Sequence, residues 1–271
     1  MKKTFIANAT VVLLVAGLLA ACGNSGSATQ KDSSGDKAPA AKATDKKASA
    51  KSTSSASDSQ EADSSSSSTP TKEKTYSDVT SDIKQKVGAQ WLPAAVSTDK
   101  AHVTATANVN NGASTVKFFG TDAPVAVNDA KLNGATPVYT LTKTVYANTA
   151  TAIANINWSG TDQGLPTVAL GDNQTATKEG AAGSTYLHWN EGKWSLLVRA
   201  SNVNNQDPTA LGKQLVELFR TKALPAPTDK GAASFNLSDS QGGQSIVWNN
   251  GATVYTLTGT DALATAQTAV H

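Results

Sequence analysis

The feature that most constrains the fold is a long segment without large apolar side chains. Residues 23–75 contain 15 Ser, 8 Lys and 7 acidic residues, but no aromatic residue and no Val, Ile or Leu. Such a segment cannot bury enough apolar surface to offset the conformational entropy of its chain, so we predict a disordered tether. The remaining 196 residues, 76–271, are enough for one large domain or two small ones.

The tether is open to two interpretations. As a flexible coil, its 53 residues would span about 40 Å, which suits a spacer. Alternatively, its lysines would bind anionic lipid or a wall polymer. Because the positive charges are diluted by nearly equal negative ones, the spacer is favoured.

The N-terminus carries an export pattern. Lys2 and Lys3 precede an apolar stretch, residues 5–19, which is too short for a comfortable membrane span. The following Leu19-Ala20-Ala21-Cys22 resembles the bacterial lipobox, in which the thiol takes a diacylglyceryl group before cleavage. An ordinary signal peptide with an incidental Cys is the alternative. Since the lone Cys falls where the pattern requires it, we predict a signal peptide at 1–21 and lipidated Cys22 at the start of the tether, 22–75.

Composition argues against several function classes. Only 16% of residues are charged and the net charge is +2, whereas nucleic-acid binding needs clustered Lys and Arg. A single Cys excludes an intramolecular disulfide and a Cys-based zinc site. The three His residues are widely separated, and no metalloprotease, nucleophile-elbow or phosphate-loop motif occurs. We therefore expect no metal, no cofactor and no nucleic-acid partner, and we assign no catalytic residue.

Apolar periodicity outlines the folded part. Helices are predicted near Tyr76, after Asn148 (with Ala150, Ile153 and Ala154 facing inward), at Asp207-Pro208 and near Asp261. Alternating side chains predict strands at 103–109, 125–127 and 194–198, and Asn-Gly pairs predict hairpin turns at 111–112, 133–134 and 250–251. The sequence therefore predicts an α+β fold, with antiparallel sheets covered by helices.

A spacing recurs within 76–271. Leu165-Pro166 is followed after 22 residues by Trp189-Asn190-Glu191-Gly192, and Leu224-Pro225 is followed after 22 residues by Trp248-Asn249-Asn250-Gly251. A looser copy starts at Leu92-Pro93, and Val-Tyr-Thr-Leu-Thr occurs at both 138–142 and 254–258. We predict about three units of Leu-Pro, strands, hairpin and helix, at 76–160, 161–222 and 223–271. Generic similarity among hairpins is the alternative.

Three stretches carry a family resemblance. They are Gly-Leu-Pro-Thr-Val at 164–168, Thr-Lys-Glu-Gly-Ala-Ala-Gly-Ser at 177–184 and Trp-Ser-Leu-Leu-Val-Arg-Ala-Ser-Asn at 194–202. Together with the lipobox they resemble uncharacterised cell-surface lipoproteins of lactic-acid bacteria. The C-terminal unit also resembles a Gram-positive extracytoplasmic domain of unknown function. The resemblance implies a surface lipoprotein and transfers no catalytic residue.

Four residues are candidate ligand contacts. Trp189, Trp194 and Trp248 flank the two hairpins, where their rings would either stack on sugars or fill the core. Because the Trp positions recur at the same spacing in two units, we favour the interpretation that the rings fill the core. Arg199 follows an apolar strand and would either bind an acidic ligand or serve as an ordinary strand-end charge, which is the favoured interpretation.

Weaker chemical signals occur in the loops. His188, with Glu191 three residues on, has the residue types of a base held by a carboxylate, although a structural His is favoured. The loop aspartates lack the ligand ladder of a calcium loop and are expected to be solvated: Asp122, Asp129, Asp162 and Asp172. Residues 180–183, Gly-Ala-Ala-Gly, are interpreted as a turn.

These features favour a lipid-anchored protein on the outer face of the cell membrane. We expect it to bind or organise an envelope component, such as a wall glycan or another envelope protein, without catalysis. An envelope hydrolase with an unrecognised site is the alternative. A transporter's solute-binding lipoprotein is a third, disfavoured because parallel-sheet periodicity is absent from the sequence.

The first prediction concerns the anchor. Cys22→Ala removes the thiol that would be acylated, so the variant should leave the membrane fraction or fail to mature. Membrane fractionation with acyl labelling measures this, and a Ser-to-Ala change in the tether serves as the control. Unchanged labelling of the Cys22 variant would contradict the lipoprotein hypothesis.

Overall fold

A computed structural model describes residues 75–161, 164–238 and 243–271. The predicted signal peptide, Cys22 and the tether up to residue 74 lie outside the described residues. Within the described ranges, no helix is long and apolar enough to cross a membrane.

The described residues form a ten-stranded sheet and four α-helices. The helices are α1 (Tyr76–Val87), α2 (Thr149–Ala154), α3 (Thr209–Thr221) and α4 (Ala262–Ala269). The strands are β1 (His102–Asn110), β2 (Ala113–Thr121), β3 (Tyr139–Val145), β4 (Thr167–Gly171), β5 (Gln174–Ala181), β6 (Ser184–Glu191), β7 (Trp194–Ser201), β8 (Gly231–Asn236), β9 (Gln244–Asn250) and β10 (Thr253–Gly259).

The sheet is mixed, in the order β1-β2-β3-β10-β9-β8-β7-β6-β5-β4. Neighbouring strands are antiparallel except β7 and β8, which are parallel. That pair differs from the antiparallel sheets expected from the sequence. Its cause is α3, which lies between β7 and β8 in the chain and makes the crossover that a parallel pair requires. The α+β class is confirmed.

A row of directly paired apolar side chains crosses the sheet and forms the centre of the core. From β1 to β6 its members are Ala107, Val116, Leu141, Leu257, Ile246, Ala233, Leu196 and Trp189. Each is at most 2% exposed. The row belongs to a single core cluster with the apolar sides of α1, α3 and α4. Since strand side chains alternate between faces, this row fixes which residues point to the other face.

Local sequence explains the helix ends. Thr75 and Asp78 form a capping box at the start of α1, and Gly88 ends it. Pro208 precedes α3, and the Asp207 carboxylate accepts the Thr209 backbone N–H at 3.1 Å. These two helices begin where the sequence predicted.

The prediction of which residues of α2 point inward was wrong in part. Ala150 and Ala154 are exposed and Ile153 is half-buried, while Ala152 is the buried residue of α2. The helix is only six residues long, so a periodic pattern cannot determine its buried side.

Two of the three predicted Asn-Gly hairpins are confirmed. Asn111 and Gly112, both with positive φ, join β1 to β2, and Gly251 lies in the turn between β9 and β10. Asn133-Gly134 instead follows a short 3₁₀ helix in the long connection from β2 to β3. The strand predicted at 125–127 is also absent from this connection.

The connection from β2 to β3 protects an edge of the sheet. The side chain of Asn128 accepts the Ala107 N–H at 2.6 Å and donates to the Ala107 oxygen at 3.0 Å, and its own N–H donates to Ala105. These bonds occupy groups on β1 that would otherwise be free to pair with another chain.

The two Trp hairpins have the same register. Trp189 pairs with Leu196 across one, and Trp248 pairs with Tyr255 across the other. Each hairpin closes through a two-residue turn that starts with a positive-φ glycine, Gly192 or Gly251. The 22-residue interval read from the sequence thus ends at equivalent places in two hairpins.

The second prediction is that these rings stabilise the fold. Trp189 is 0% and Trp248 is 2% exposed. Replacing either with Ala should therefore lower the free energy of unfolding by about 3–5 kcal/mol. Thermal and urea unfolding measure the loss. Trp158→Ala, at a partly exposed ring, is the matched control and should cost clearly less. Equal melting temperatures for the wild type and the two core variants would contradict this prediction.

Candidate functional site

The two faces of the sheet differ in chemistry. One face packs against α1, α3 and α4, and we call the opposite one the open face. A row of paired residues on the open face carries mostly hydroxyl groups: Lys117, Thr140, Thr258, Ser245, Ser234, Leu197 and His188. The threonines and serines of this row are half-buried. The open face is therefore a surface of short polar side chains.

A groove of about 440 Å³ lies on this face, and we call it the open-face groove. Small residues of β8, among them Ala232 and Ser234, leave room for it at the middle of the sheet. Its lining is completed by Asn155, Asn157, Ser159, Leu165, Thr177, Glu179, Ala181, Tyr186, His188, Ser195, Leu197, Ala233, Ser245 and Val247. Its volume is within the range of small-molecule sites, and its hydroxyl, amide and aromatic groups suit a polyhydroxylated ligand.

A hydrogen-bonded chain lies within the groove. The Ser195 hydroxyl and Nε2 of His188 are 3.0 Å apart, and the Ser159 backbone N–H donates to the same hydroxyl at 3.3 Å. The Ser195 oxygen has two lone pairs, so after accepting the Ser159 N–H it either donates its proton to His188 or accepts one from it, according to the tautomer of His188. These bonds hold the segment that contains Ser159 against the sheet.

The disfavoured alternative, in which Glu191 holds His188 as a base, does not fit the structure. Three positions along a strand place the two side chains on opposite faces, and His188 faces the groove while Glu191 faces the helices. A three-residue interval brings side chains together on a helix, not on a strand.

The three candidate Trp residues lie on the helix-covered face. Trp189, Trp194 and Trp248 are 0%, 7% and 2% exposed, which favours the core interpretation. Trp248 packs in a cluster with ring-centroid distances of 4.8 Å to Trp91, 5.3 Å to Tyr255 and 6.5 Å to Trp194. Trp194 and Trp248 each line a surface hollow. Their role as ligand contacts stays a prediction.

Arg199 lies on the open face, away from the Trp residues. It pairs with Tyr186 across β6 and β7, and its Nε donates to the Ser184 hydroxyl at 3.1 Å. Its side chain is exposed and forms no ion pair with the described residues. Arg199 is thus near the groove-lining Tyr186, but the proposed ligand set of Arg199 and the three Trp residues is not brought together.

A second hollow lies on the helix-covered side, beside the β6–β7 turn, and we call it the hairpin pocket. It has a volume of about 370 Å³ and mostly apolar walls: Trp194, Leu196, Phe219, Ala223, Leu224, Ala226 and Pro227, with Glu191, Gly192 and Lys193 at the turn. The Lys193 ammonium donates to the backbone oxygens of Pro227 and Thr228 at 3.3 and 2.5 Å. Glu191 forms no ion pair with the described residues.

Burial raises the pKa of Glu191. The indole of Trp189 partly offsets this shift, and the charge of Asp172 adds to it. Nε1 of Trp189 and Oε2 of Glu191 are both buried, and the indole N–H interacts weakly with this carboxylate. The acidic group at the edge of the apolar pocket thus has a donor on its own strand, β6.

Two of the four loop aspartates have local structural partners. Asp122 pairs with Lys100 at 3.0 Å, and Asp129 accepts the Lys131 N–H at 2.8 Å. Asp172 is exposed in the β4–β5 turn, and Asp162 lies outside the described residues. Across 75–161, 164–238 and 243–271, no group of three acidic, His or Cys residues has a metal-binding arrangement. The turn predicted at Gly-Ala-Ala-Gly is confirmed for its second half, Ala182-Gly183, which joins β5 to β6, while Gly180 and Ala181 end β5.

Comparison of the chain with protein-family models, with curated proteins and with solved structures gives no match.

The third prediction follows from the raised pKa of Glu191. The folded protein holds this proton more tightly than the unfolded chain, so the group's contribution to stability declines as pH rises from about 4 through the raised pKa. Glu191→Gln resembles the protonated form. It should therefore melt above the wild type at neutral pH, and the difference should vanish below about pH 4.

Melting temperatures measured from pH 3 to 8 test this prediction. Glu179→Gln, which removes an exposed carboxyl of the open face, controls for the loss of a negative charge. A Glu191→Gln variant that melts below the wild type at pH 7 would show that the carboxylate stabilises the fold instead.

Proposed function

We propose that this chain is a lipid-anchored protein of the bacterial cell envelope that binds an envelope ligand in the open-face groove. The observation that carries the binding role is the groove itself, about 440 Å³ on the open face, in which hydroxyl and amide groups lie among apolar side chains. A wall glycan is the favoured ligand class, because sugar hydroxyls both donate and accept hydrogen bonds, as do the Ser, Thr and Asn side chains of the lining.

The proposed location rests on the sequence. The lipobox ending at Cys22 supplies the anchor on the outer face of the membrane. The following segment, which has no large apolar side chains, lets the domain extend away from the membrane. The resemblance to lipoproteins of lactic-acid bacteria supports the same placement. Binding to a fixed wall polymer requires such reach, since the anchored domain must approach the polymer from the membrane.

We also propose that the domain derives from about three copies of one unit. The matching registers of the two Trp hairpins support duplication of the second and third units. The repeated Val-Tyr-Thr-Leu-Thr segments supply β3 and β10, where Leu141 pairs directly with Leu257. Strand β3 of the first unit and strand β10 of the third unit thus pair at equivalent residues, as expected of duplicated elements.

A second candidate function is hydrolysis. The 3.0 Å contact between Nε2 of His188 and the Ser195 hydroxyl is the geometry of a base beside a nucleophile. Against this role, Ser195 is only 5% exposed and its oxygen already accepts the Ser159 N–H. A nucleophile must reach a substrate carbonyl, so the structural role of this contact, holding the groove wall, is preferred.

The fourth prediction tests the groove. Ser234→Leu places a larger apolar side chain in the groove and removes a hydroxyl group. It should weaken binding of the full chain to purified wall polymer by about tenfold or more. Thr142→Leu, on the open face but outside the groove lining, is the matched control and should bind like the wild type. Sedimentation with wall polymer measures both, and thermal melting confirms that each variant is folded.

The Ser234→Leu variant and a Ser195→Ala variant together separate the two functions. Equal binding by Ser234→Leu and the wild type would contradict the groove as the glycan site. Labelling of Ser195 by a fluorophosphonate probe, lost in Ser195→Ala, would favour the hydrolase instead.

A further inference from the structure

The hydrogen-bonding side chains that line the open-face groove are of two kinds. Some are used within the protein: the Ser195 hydroxyl contacts His188 and Ser159, and the Thr177 hydroxyl donates to the main-chain oxygen of His188 at 3.2 Å. Others form no hydrogen bond with the described residues, namely Asn157, Tyr186, Ser234 and Ser245. These unused groups are available to a ligand, so their chemistry indicates what the ligand offers in return.

A segment beside the sheet, residues 155–159, carries the unused amide of the groove. The Ser159 N–H donates to the Ser195 hydroxyl at 3.3 Å, and the Asn190 amide donates to the Ser159 oxygen at 2.8 Å. Both backbone groups of Ser159 are thus held against β6 and β7. Asn157 lies two residues before this contact, and its exposed side chain lines the groove. The amide is therefore presented from a wall that the protein itself fixes in place.

Two apolar side chains form the floor at the same end of the groove. Ala232 pairs directly with Ser195 on one side and with Val247 on the other. Ala232 and Val247 are half-buried and line the groove. A ligand group that suits this end has an apolar part for the floor and a polar part for the Asn157 amide. An acetamido group, which is a methyl group joined to an amide, has both parts.

The charges around the groove argue against an anionic polymer. Among the described residues of its lining, Glu179 is the one acidic side chain, and none is Lys or Arg. Arg199 pairs with Tyr186 but lies outside the lining, and its Nε donates to the Ser184 hydroxyl at 3.1 Å. Phosphate groups would find no Lys or Arg to pair with inside the groove, whereas an uncharged sugar requires none.

We propose that the open-face groove selects an uncharged glycan whose sugars carry acetamido groups, and that Asn157 determines this specificity. The Asn157 amide exchanges hydrogen bonds with the acetamido group, whose methyl group packs on Ala232 and Val247. The hydroxyls of Ser234 and Ser245, which pair directly across β8 and β9, bond to sugar hydroxyls. This specificity rests on the proposed glycan-binding function, and it narrows the ligand from wall glycans in general to acetamido sugars.

The test compares triacetylchitotriose with cellotriose. These two trisaccharides have the same linkage and differ at one ring carbon, which carries an acetamido group in the first and a hydroxyl group in the second. Each is titrated into the full chain by isothermal calorimetry, and triacetylchitotriose should bind about tenfold more tightly. Asn157→Ala should remove this preference, by weakening triacetylchitotriose about tenfold while leaving cellotriose unchanged. Asn108→Ala, which removes an exposed amide of the open face outside the groove lining, is the matched control and should bind like the wild type.

The outcomes distinguish failure of this specificity from failure of glycan binding. Equal affinity for the two trisaccharides, or an unchanged preference in a folded Asn157→Ala variant, would overturn the acetamido specificity. If Ser234→Leu still weakened both ligands in that case, the groove would remain the glycan site. Binding of neither trisaccharide, or binding that Ser234→Leu does not change, would overturn the proposed glycan function and the specificity with it. Displacement of triacetylchitotriose by a glycerol-phosphate polymer would overturn the selection of an uncharged glycan.

Discussion

The sheet depends on close packing at its one parallel pair. Gly231 on β8 lies between Trp194 on β7 and Trp248 on β9, paired directly with both. A Cβ atom at position 231 would lie 2.6 Å from the Trp194 ring, closer than real side chains approach. The missing side chain lets the two indoles pack 6.5 Å apart across β8. This contact joins the half of the sheet that ends at β7 to the half that begins at β8.

The packing of α1, α3 and α4 on one face leaves part of the other face available for binding. The helices bury the row of apolar residues that crosses the sheet, and strand alternation then places threonines and serines on the open face. Short side chains on β8 deepen this face where the two halves meet. The groove is therefore a consequence of the same junction that positions the buried indoles.

The sequence predicted the parts of the structure that depend on local patterns. Capped helices such as α1 and α3, and turns such as Asn111-Gly112, follow from side-chain periodicity and from positive-φ residues. The groove depends on contacts between distant segments, such as Ser159 with Ser195, which no spacing reveals. The groove-lining serines and asparagines were missed because such residues are common in loops. Alternation along β6 and β7 was the one signal for groove-facing side chains. Because Leu187, Trp189 and Leu196 are apolar and face the core, His188 and Ser195 point to the open face.

Strand β6 contributes side chains to the open-face groove, to the hairpin pocket and to the core. Its alternate residues are divided between the faces, with His188 in the open-face groove and Trp189 in the core. Glu191 continues the core side of the strand but lies at the turn, where the helices no longer fill the space. Glu191 occupies what would be the next core-facing position along β6. A polar residue there lowers stability, and an Ala or Leu would avoid this cost.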